Sequence, residues 1–305
     1  MPEAPTVGVL VMAYGSPVSA AAVESYYTHV RRGRPPPPGL LADLQRRYEA
    51  IGGVSPLTAR TMAQVDSLRA ELGDGHAVAL GQKHAAPFIE EGVARLGELG
   101  AGRIVGLVLA PHVSMLSTGE YHSRATAAAA GISYSAVQRW HDHPALAELL
   151  AERVLRAGAR FPPGTTVETL VTAHSLPVRA LEVDDPPYPE QLRQTGEAVA
   201  ARAGLGNRWR VAWQSAGRTA DPWIGPDILD VIRALPAEGA EGVLVCPAGF
   251  VSDHLEVLYD VDIEARAVAG EAGLLLERTE SLNDDARFIS LLASLVRAAG
   301  SGAGG

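Results

Sequence analysis

Three carboxylates, Glu256, Asp260 and Glu264, recur at i, i+4 and i+8 within GFVSDHLEVLYDVDIE, residues 249–264, whose apolar positions follow a helical period. On one helix they stack as a column of hard oxygen donors that suits a divalent cation. Like charges at this spacing repel, so the column needs either water or a cation to be tolerated, and a solvated acidic face or a metal path meets that need. His174 closes the apolar run VETLVTAH and is followed by SLP, which puts its imidazole at the carboxyl end of a strand, where α/β proteins collect ligand contacts. A neutral imidazole there ligates a metal or accepts a proton; a histidine bonded to local backbone fits the same position.

Arginines gather in SYYTHVRRGRPPPPGLLADLQRRYEAIGGVSPL, as Arg31, Arg32 and Arg34 before a proline run and as Arg46 and Arg47 after it. Guanidinium groups bind carboxylates through paired hydrogen bonds, so the segment reads as a clamp for a polyacidic ligand, with Tyr26, Tyr27 and Tyr48 as flat walls. A stiff surface loop whose arginines pair with neighbouring acids fits the same residues. His84, His112, Ser114 and Tyr121 lie in GQKHAAPF and LAPHVSMLSTGEY, at the ends of two further strands, where structural or hydrogen-bonding roles are the ordinary reading. Neither GxGxxG after a strand nor GxxxxGK[ST] occurs, and Ser175 is outside any GxSxG elbow.

The elements that must position these residues alternate short β-branched runs (VGVLVMAY, HAVALGQ, IVGLVLAP, VETLVTAH, RVAWQSA, GVLVCPAGF) with longer amphipathic stretches. That alternation predicts an α/β fold of βαβ units with parallel sheets. A weak internal repeat aligns GQKHAAPFIEEGVARLGELGAGRIVGLVLAP with WQSAGRTADPWIGPDILDVIRALPAEGAEGVLVCP, and VLVMAYGSP with LVTAHSLP. Two similar lobes follow, residues 1–150 and 151–283, then a C-terminal helix from about Asp284 to Ala298 that packs back on the first lobe, and a frayed tail to residue 305. A cleft between the lobes would bring Tyr14 and His174 face to face.

The 305 residues are 47% hydrophobic and 20% charged, ordinary for a globular protein, and the net charge of −9 disfavours nucleic acid and anionic membrane. The N-terminus lacks the basic region of a secretion signal and no apolar run is long enough to span a bilayer, so a cytoplasmic protein is expected. Cys246 is the sole cysteine, which excludes an internal disulfide and any cluster held by this chain's cysteines alone, and leaves metal chemistry to histidine and carboxylate.

In order and across nearly the whole chain, VLVMAYGSP, YYTHVRRGR, RRYEAIGGVSPL, KHAAPFIEE, LAPHVS, AHSLP and GFVSDHLEVLYDVDIE resemble the motif series of the ferrochelatases, above all the soluble coproporphyrin enzymes of Gram-positive-type bacteria. The resemblance implies two flavodoxin-like or Rossmann-like lobes around a porphyrin cleft, and insertion of Fe²⁺ into coproporphyrin III to form coproheme in heme biosynthesis. Carried over by motif, His174 and Glu256 are the catalytic metal pair, and Asp260 with Glu264 the outer path. Tyr14 lies on the opposite side of the macrocycle, and Arg31, Arg47, Tyr48, Ser55 and Tyr121 hold the porphyrin and its propionates. Some relatives carry a [2Fe-2S] cluster on four cysteines; with Cys246 alone none is expected, and no other cofactor is held permanently. The resemblance also implies a monomer that hands coproheme to a decarboxylase.

Such a site would bind the incoming ion on one face and take up a pyrrole proton, and the resemblance implies that part of the binding energy distorts the ring. Four propionates on coproporphyrin against two on protoporphyrin give the arginines their meaning. The rival readings are a protoporphyrin IX ferrochelatase, a cobalt chelatase of the same fold, and a tetrapyrrole carrier without turnover, for which the carboxylate column has no use.

Overall fold

The computed structural model describes residues 7–115, 117–182, 185–217 and 219–301. The first lobe contains β1 (Val7–Ala13), α1 (Val23–Val30), α2 (Pro38–Ala50), α3 (Leu57–Leu72), β2 (His76–Gln82), α4 (Ile89–Glu98), β3 (Arg103–Val108), α5 (Thr118–Ala128) and β4 (Ser133–Ala136). After α6 (Pro144–Gly158) the second lobe repeats the scheme with β5 (Val167–His174), α7 (Tyr188–Ala203), β6 (Trp209–Gln214), α8 (Ile228–Ala234), β7 (Gly242–Cys246), α9 (Leu255–Leu258), α10 (Arg266–Glu271) and β8 (Leu275–Arg278). The chain closes with α11 (Ala286–Ser301).

Each sheet is parallel, with orders β2-β1-β3-β4 and β6-β5-β7-β8, so the internal repeat is a repeat of topology. Strand order reverses between β1 and β3 and between β5 and β7. The crevices at those switch points are where an open parallel sheet receives ligands. Corresponding turns also match: Gln82 N donates to Pro87 O at 2.7 Å in one lobe and Trp213 N to Pro226 O at 3.0 Å in the other.

Alternation along the strands sorts the core. Val7, Val9 and Val11 face one way, into an apolar mass that also receives Val171, Ala173, Leu244 and Cys246 from the second sheet. Helices α3, α6, α7 and α11 fill the space between the sheets through Leu68, Leu150, Leu192 and Phe288. Leu10 and Met12 face the other way, against Ile89, Val93 and Leu96 of α4 and Tyr121 and Ala125 of α5; on the second sheet Leu170, Val243 and Val245 meet Ile232, Val261 and Ala269.

Helix α6 spans the sequence boundary and packs chiefly on α7, whereas α11 packs chiefly on α3 and also meets α6 and β3. Arg103 Nη1 donates to Gly300 O at 2.5 Å and Arg297 Nη2 to Glu71 O at 2.8 Å. This contact corrects the expected tail. The helix continues past Ala298 to Ser301, with Gly300 buried and its carbonyl held by Arg103 of the first lobe. Residues 302–305 of that tail lie outside the described residues.

The carboxylate segment also departs from expectation. No continuous α-helix runs through 249–264: α9 is a single turn, followed by a π-helical turn, Asp260–Ala265, in which Glu264 N donates to Tyr259 O, five residues back, at 2.9 Å. A π turn is wider than an α turn and often marks a functional site. Here it breaks the straight column, leaving Asp260 buried and Glu264 half-exposed.

Candidate active site

His174 is the last residue of β5, and Glu256 lies in the first turn of α9 after β7. Gly249 makes the approach between them possible: its N–H donates to Thr172 O at 3.0 Å, and a Cβ there would stand 2.5 Å from Ala173 Cβ. Buried Gln214, anchored by Thr172 Oγ1 at 2.8 Å, donates to the Glu256 carbonyl at 2.9 Å and fixes the turn.

The result is a carboxylate between two imidazoles. Glu256 Oε1 lies 3.6 Å from His174 Nε2, and Oε2 lies 3.5 Å from His254 Nε2. The other ring nitrogens are occupied by backbone carbonyls, His174 Nδ1 by Ser175 O and His254 Nδ1 by Ser252 O at 2.9 Å, which leaves both Nε2 atoms for the site. His254 was absent from the sequence-level assignment; its place two residues before Glu256 in SDHLE was the available signal.

His174 and Glu256 are 32% and 34% exposed, open to the cleft. Withdrawal from bulk water opposes the charge on His174, but Glu256 and the Ser175 carbonyl outweigh it and raise the pKa to about 9. Burial likewise opposes the Glu256 carboxylate, and the two histidines hold it well below the usual carboxylate range. Without a bound ion the pair is an imidazolium–carboxylate couple at neutral pH.

The same carboxylate reaches the first lobe. Tyr14, 44% exposed, has its phenol pushed above the tyrosine range by withdrawal from bulk water and next by Glu256. Buried Tyr48 is shifted the same way by burial and then Glu256, and Tyr121 by burial, with Tyr14, Glu120 and Glu256 adding to it. One charge from the second lobe thus acts on tyrosines placed by β1, α2 and α5. Tyr14 packs on His84 with ring centroids 4.6 Å apart, and His84 is drawn down to about 4 by burial, Lys83 and His29. A cavity of about 440 Å³ opens beside them, lined by Tyr14, His29, Arg32, Lys83, His84, Glu120 and Arg124. A depression of about 530 Å³ near Thr165, Glu241 and Leu274 lies at the opposite ends of the second-lobe strands, far from these groups.

Asp260 is engaged already. Arg47 Nη1 reaches its Oδ1 at 3.2 Å, Ser215 Oγ donates to Oδ2 at 2.5 Å, and Arg47 also meets Asp43 at 3.2 Å and lies over the Tyr259 ring. Ser215 adopts a positive φ of 61° to make its contact, a conformation kept where surroundings require it. Burial, then Glu256, raises Asp260 to about 6 despite these partners. Arg31 lies 5.8 Å from the Tyr27 ring centroid, and its Nε is buried without a protein hydrogen-bond partner. Buried Ser55 accepts from Leu57 N at 3.2 Å at the start of α3.

Histidines 112 and 141 belong to a buried seam between lobes: His112 Nε2 pairs with Thr195 Oγ1 at 2.9 Å, and Gln191 clamps Val113 N and O at 2.8 and 3.0 Å. Among the described residues no group of three His, Cys, Asp or Glu side chains is arranged to hold a metal by itself, and no helix is long and apolar enough to cross a membrane.

The profile of the family described as Ferrochelatase matches residues 6–299. The chain is 42% identical over 300 residues to a coproporphyrin III ferrochelatase of Anoxybacillus flavithermus, covering 95% of each. It is 41% identical to one of Bacillus subtilis, over 95% of this chain and 96% of that one, and 42% identical to a ferrochelatase of Herpetosiphon aurantiacus, over 94% and 97%. In fold it is similar to the sirohydrochlorin chelatase SirB of Bacillus subtilis subspecies spizizenii in complex with cobalt, with a TM-score of 0.61, 11% identity and coverage of 98% of this chain and 97% of that one.

Proposed function

Because the chain belongs to the ferrochelatase family, we propose that it inserts Fe²⁺ into coproporphyrin III to form coproheme, a step of heme biosynthesis, in the cytoplasm. The observation that carries the reading is the His174–Glu256 couple, 3.6 Å apart at the switch point of the second sheet, with its charge felt by Tyr14, Tyr48 and Tyr121 of the other lobe.

Glu256, anionic at neutral pH, attracts the hydrated cation. The ion's charge then replaces the proton on His174, which passes to solvent, and the freed Nε2 becomes a ligand. As iron moves onto the four pyrrole nitrogens, His174 takes up one displaced pyrrole proton and the other goes to water in the cleft. Tyr14 stands on the far side of the ring. Glu264 is the outer waypoint for the ion, and Asp260 joins the path when a propionate draws Arg47 away. Arg31, with a buried donor lacking a protein partner, supports a substrate rich in carboxylates, as do Tyr48, Ser55 and Tyr121 along the ring edge.

The chain works as a monomer without a resident cofactor or [2Fe-2S] cluster, its sole cysteine lying buried in the core, and passes coproheme to a decarboxylase. Anaerobic assays with Fe²⁺ and matched porphyrins test the reading. Coproporphyrin III is expected to be metallated faster than protoporphyrin IX; the reverse order overturns the substrate, and porphyrin binding without insertion into either overturns the activity.

A further inference from the structure

The lobes present the same frame to the cleft from two sides. Tyr14 follows β1 as His174 ends β5, and each helix after the third strand carries a glutamate in its first turn, Glu120 on α5 and Glu256 on α9. What neutralises the two glutamates differs. Glu256 stands between His174 and His254 at 3.6 and 3.5 Å, whereas Glu120 Oε2 meets the Lys83 ammonium at 2.8 Å.

Two imidazole donors that a metal could use line the same cavity as that ammonium. His29 and His84 turn their Nδ1 atoms toward each other at 3.1 Å, and both line one cavity with Tyr14, Lys83 and Glu120. Two facing imidazoles and a carboxylate suit a borderline divalent ion. Lys83 is fixed in the wall. Its side chain is 8% exposed, its Nζ lies 5.1 Å from the Tyr121 ring centroid, its N–H donates to Ala13 O at 2.9 Å, and its carbonyl accepts from Arg124 Nη1 at 2.9 Å.

We propose that Lys83 is a built-in cation occupying the first-lobe counterpart of the metal position, where it silences a latent divalent-metal site formed by His29, His84 and Glu120 and restricts iron entry to the His174 side. Like-charge repulsion from the ammonium, and loss of Glu120 to it, keep a second ion out. The consequence for iron entry rests on the chelatase reading; the vacancy that Lys83 fills does not.

Cobalt counting tests it without any porphyrin. Full-length protein carrying His174→Ala and Glu256→Ala, titrated with Co²⁺ alone by calorimetry and visible d–d absorption, is expected to show no stoichiometric site while Lys83 is present. Adding Lys83→Met, which keeps the aliphatic stem and drops the charge, creates one site per chain; a further His84→Ala abolishes it, and Lys83→Arg leaves it closed. Lys83→Gln covers the case in which methionine is not accommodated. Absence of a site in folded Lys83→Met and Lys83→Gln proteins overturns the proposal, as does a new site that survives His84→Ala. Failure of iron insertion in the wild type would sink the proposed activity and leave this count untouched.

Discussion

Glu120 and Glu256 occupy matching first turns on the two sides of the cleft, yet one faces an ammonium and the other two imidazoles. An ammonium has donors and no acceptor, while an imidazolium can lose its proton and become a ligand. On the proposed reading the same scaffold position is a wall in one lobe and a metal seat in the other, decided by whether the neutralising charge can be given up. Repeated topology places the two glutamates alike; on that reading the partner of each decides which side carries the chemistry.

The largest expected effect comes from removing the releasable charge. His174→Ala should lower iron insertion roughly 10³-fold, the range of general acid–base contributions, while the porphyrin absorption shift on binding persists; a loss of less than about tenfold would place the metal seat elsewhere. Arg47→Ala is next. It leaves Asp260 buried without its guanidinium, and urea unfolding should show a loss of about 3 kcal/mol. Adding Asp260→Asn should restore most of it; no recovery would mean that Arg47 stabilises through Asp43 and the Tyr259 ring instead. Gln191→Leu, which strips Val113 N and O of their partners across the lobe seam, should cost about 2 kcal/mol, and a neutral result would remove that clamp from the energetics.

The subtlest effect opposes the lobes in pH. His112 is held neutral, its pKa lowered from 6.5 to about 3 by burial and then His141. Between those values the unfolded chain binds more protons, so stability falls as pH drops below about 6.5. His174 has the opposite sign: burial opposes its charge but Glu256 raises it from 6.5 to about 9, so its contribution is complete below about 6.5 and is lost as pH climbs through 9. The melting temperature of the ligand-free protein should decline on both sides. Glu256→Gln should flatten the alkaline limb; an unaltered alkaline limb would separate His174 from Glu256.

The strands and their duplication were legible because buried parallel strands are written as β-branched runs, and VLVMAYGSP against LVTAHSLP carries the register of Tyr14 and His174. Spacing marked Glu256 as one of a column without choosing between a solvated face and a metal path, and the motif resemblance paired it with His174. The shape of its segment was not legible, because the π turn depends on Gln214 and Ser215 at the end of β6, contacts that span more than forty residues. Arg47 read as a clamp because a charge pattern shows the guanidinium and not Asp260, 213 positions away. Lys83 went unnoticed for a related reason: between Gln82 and His84 it looks like a strand-end residue until α5 brings Glu120 to it.

Val9, Leu107, Val171 and Leu244 belong to one apolar mass with Phe288 of the last helix. Lobes sharing such a core cannot swing apart as independent bodies without exposing it, at about 25 cal/mol for every Å² uncovered. Hinge closure, the usual device of two-lobed binders, would have to open that shared core. A macrocycle bound between these lobes would meet a jaw whose gauge is set by the packing between the sheets.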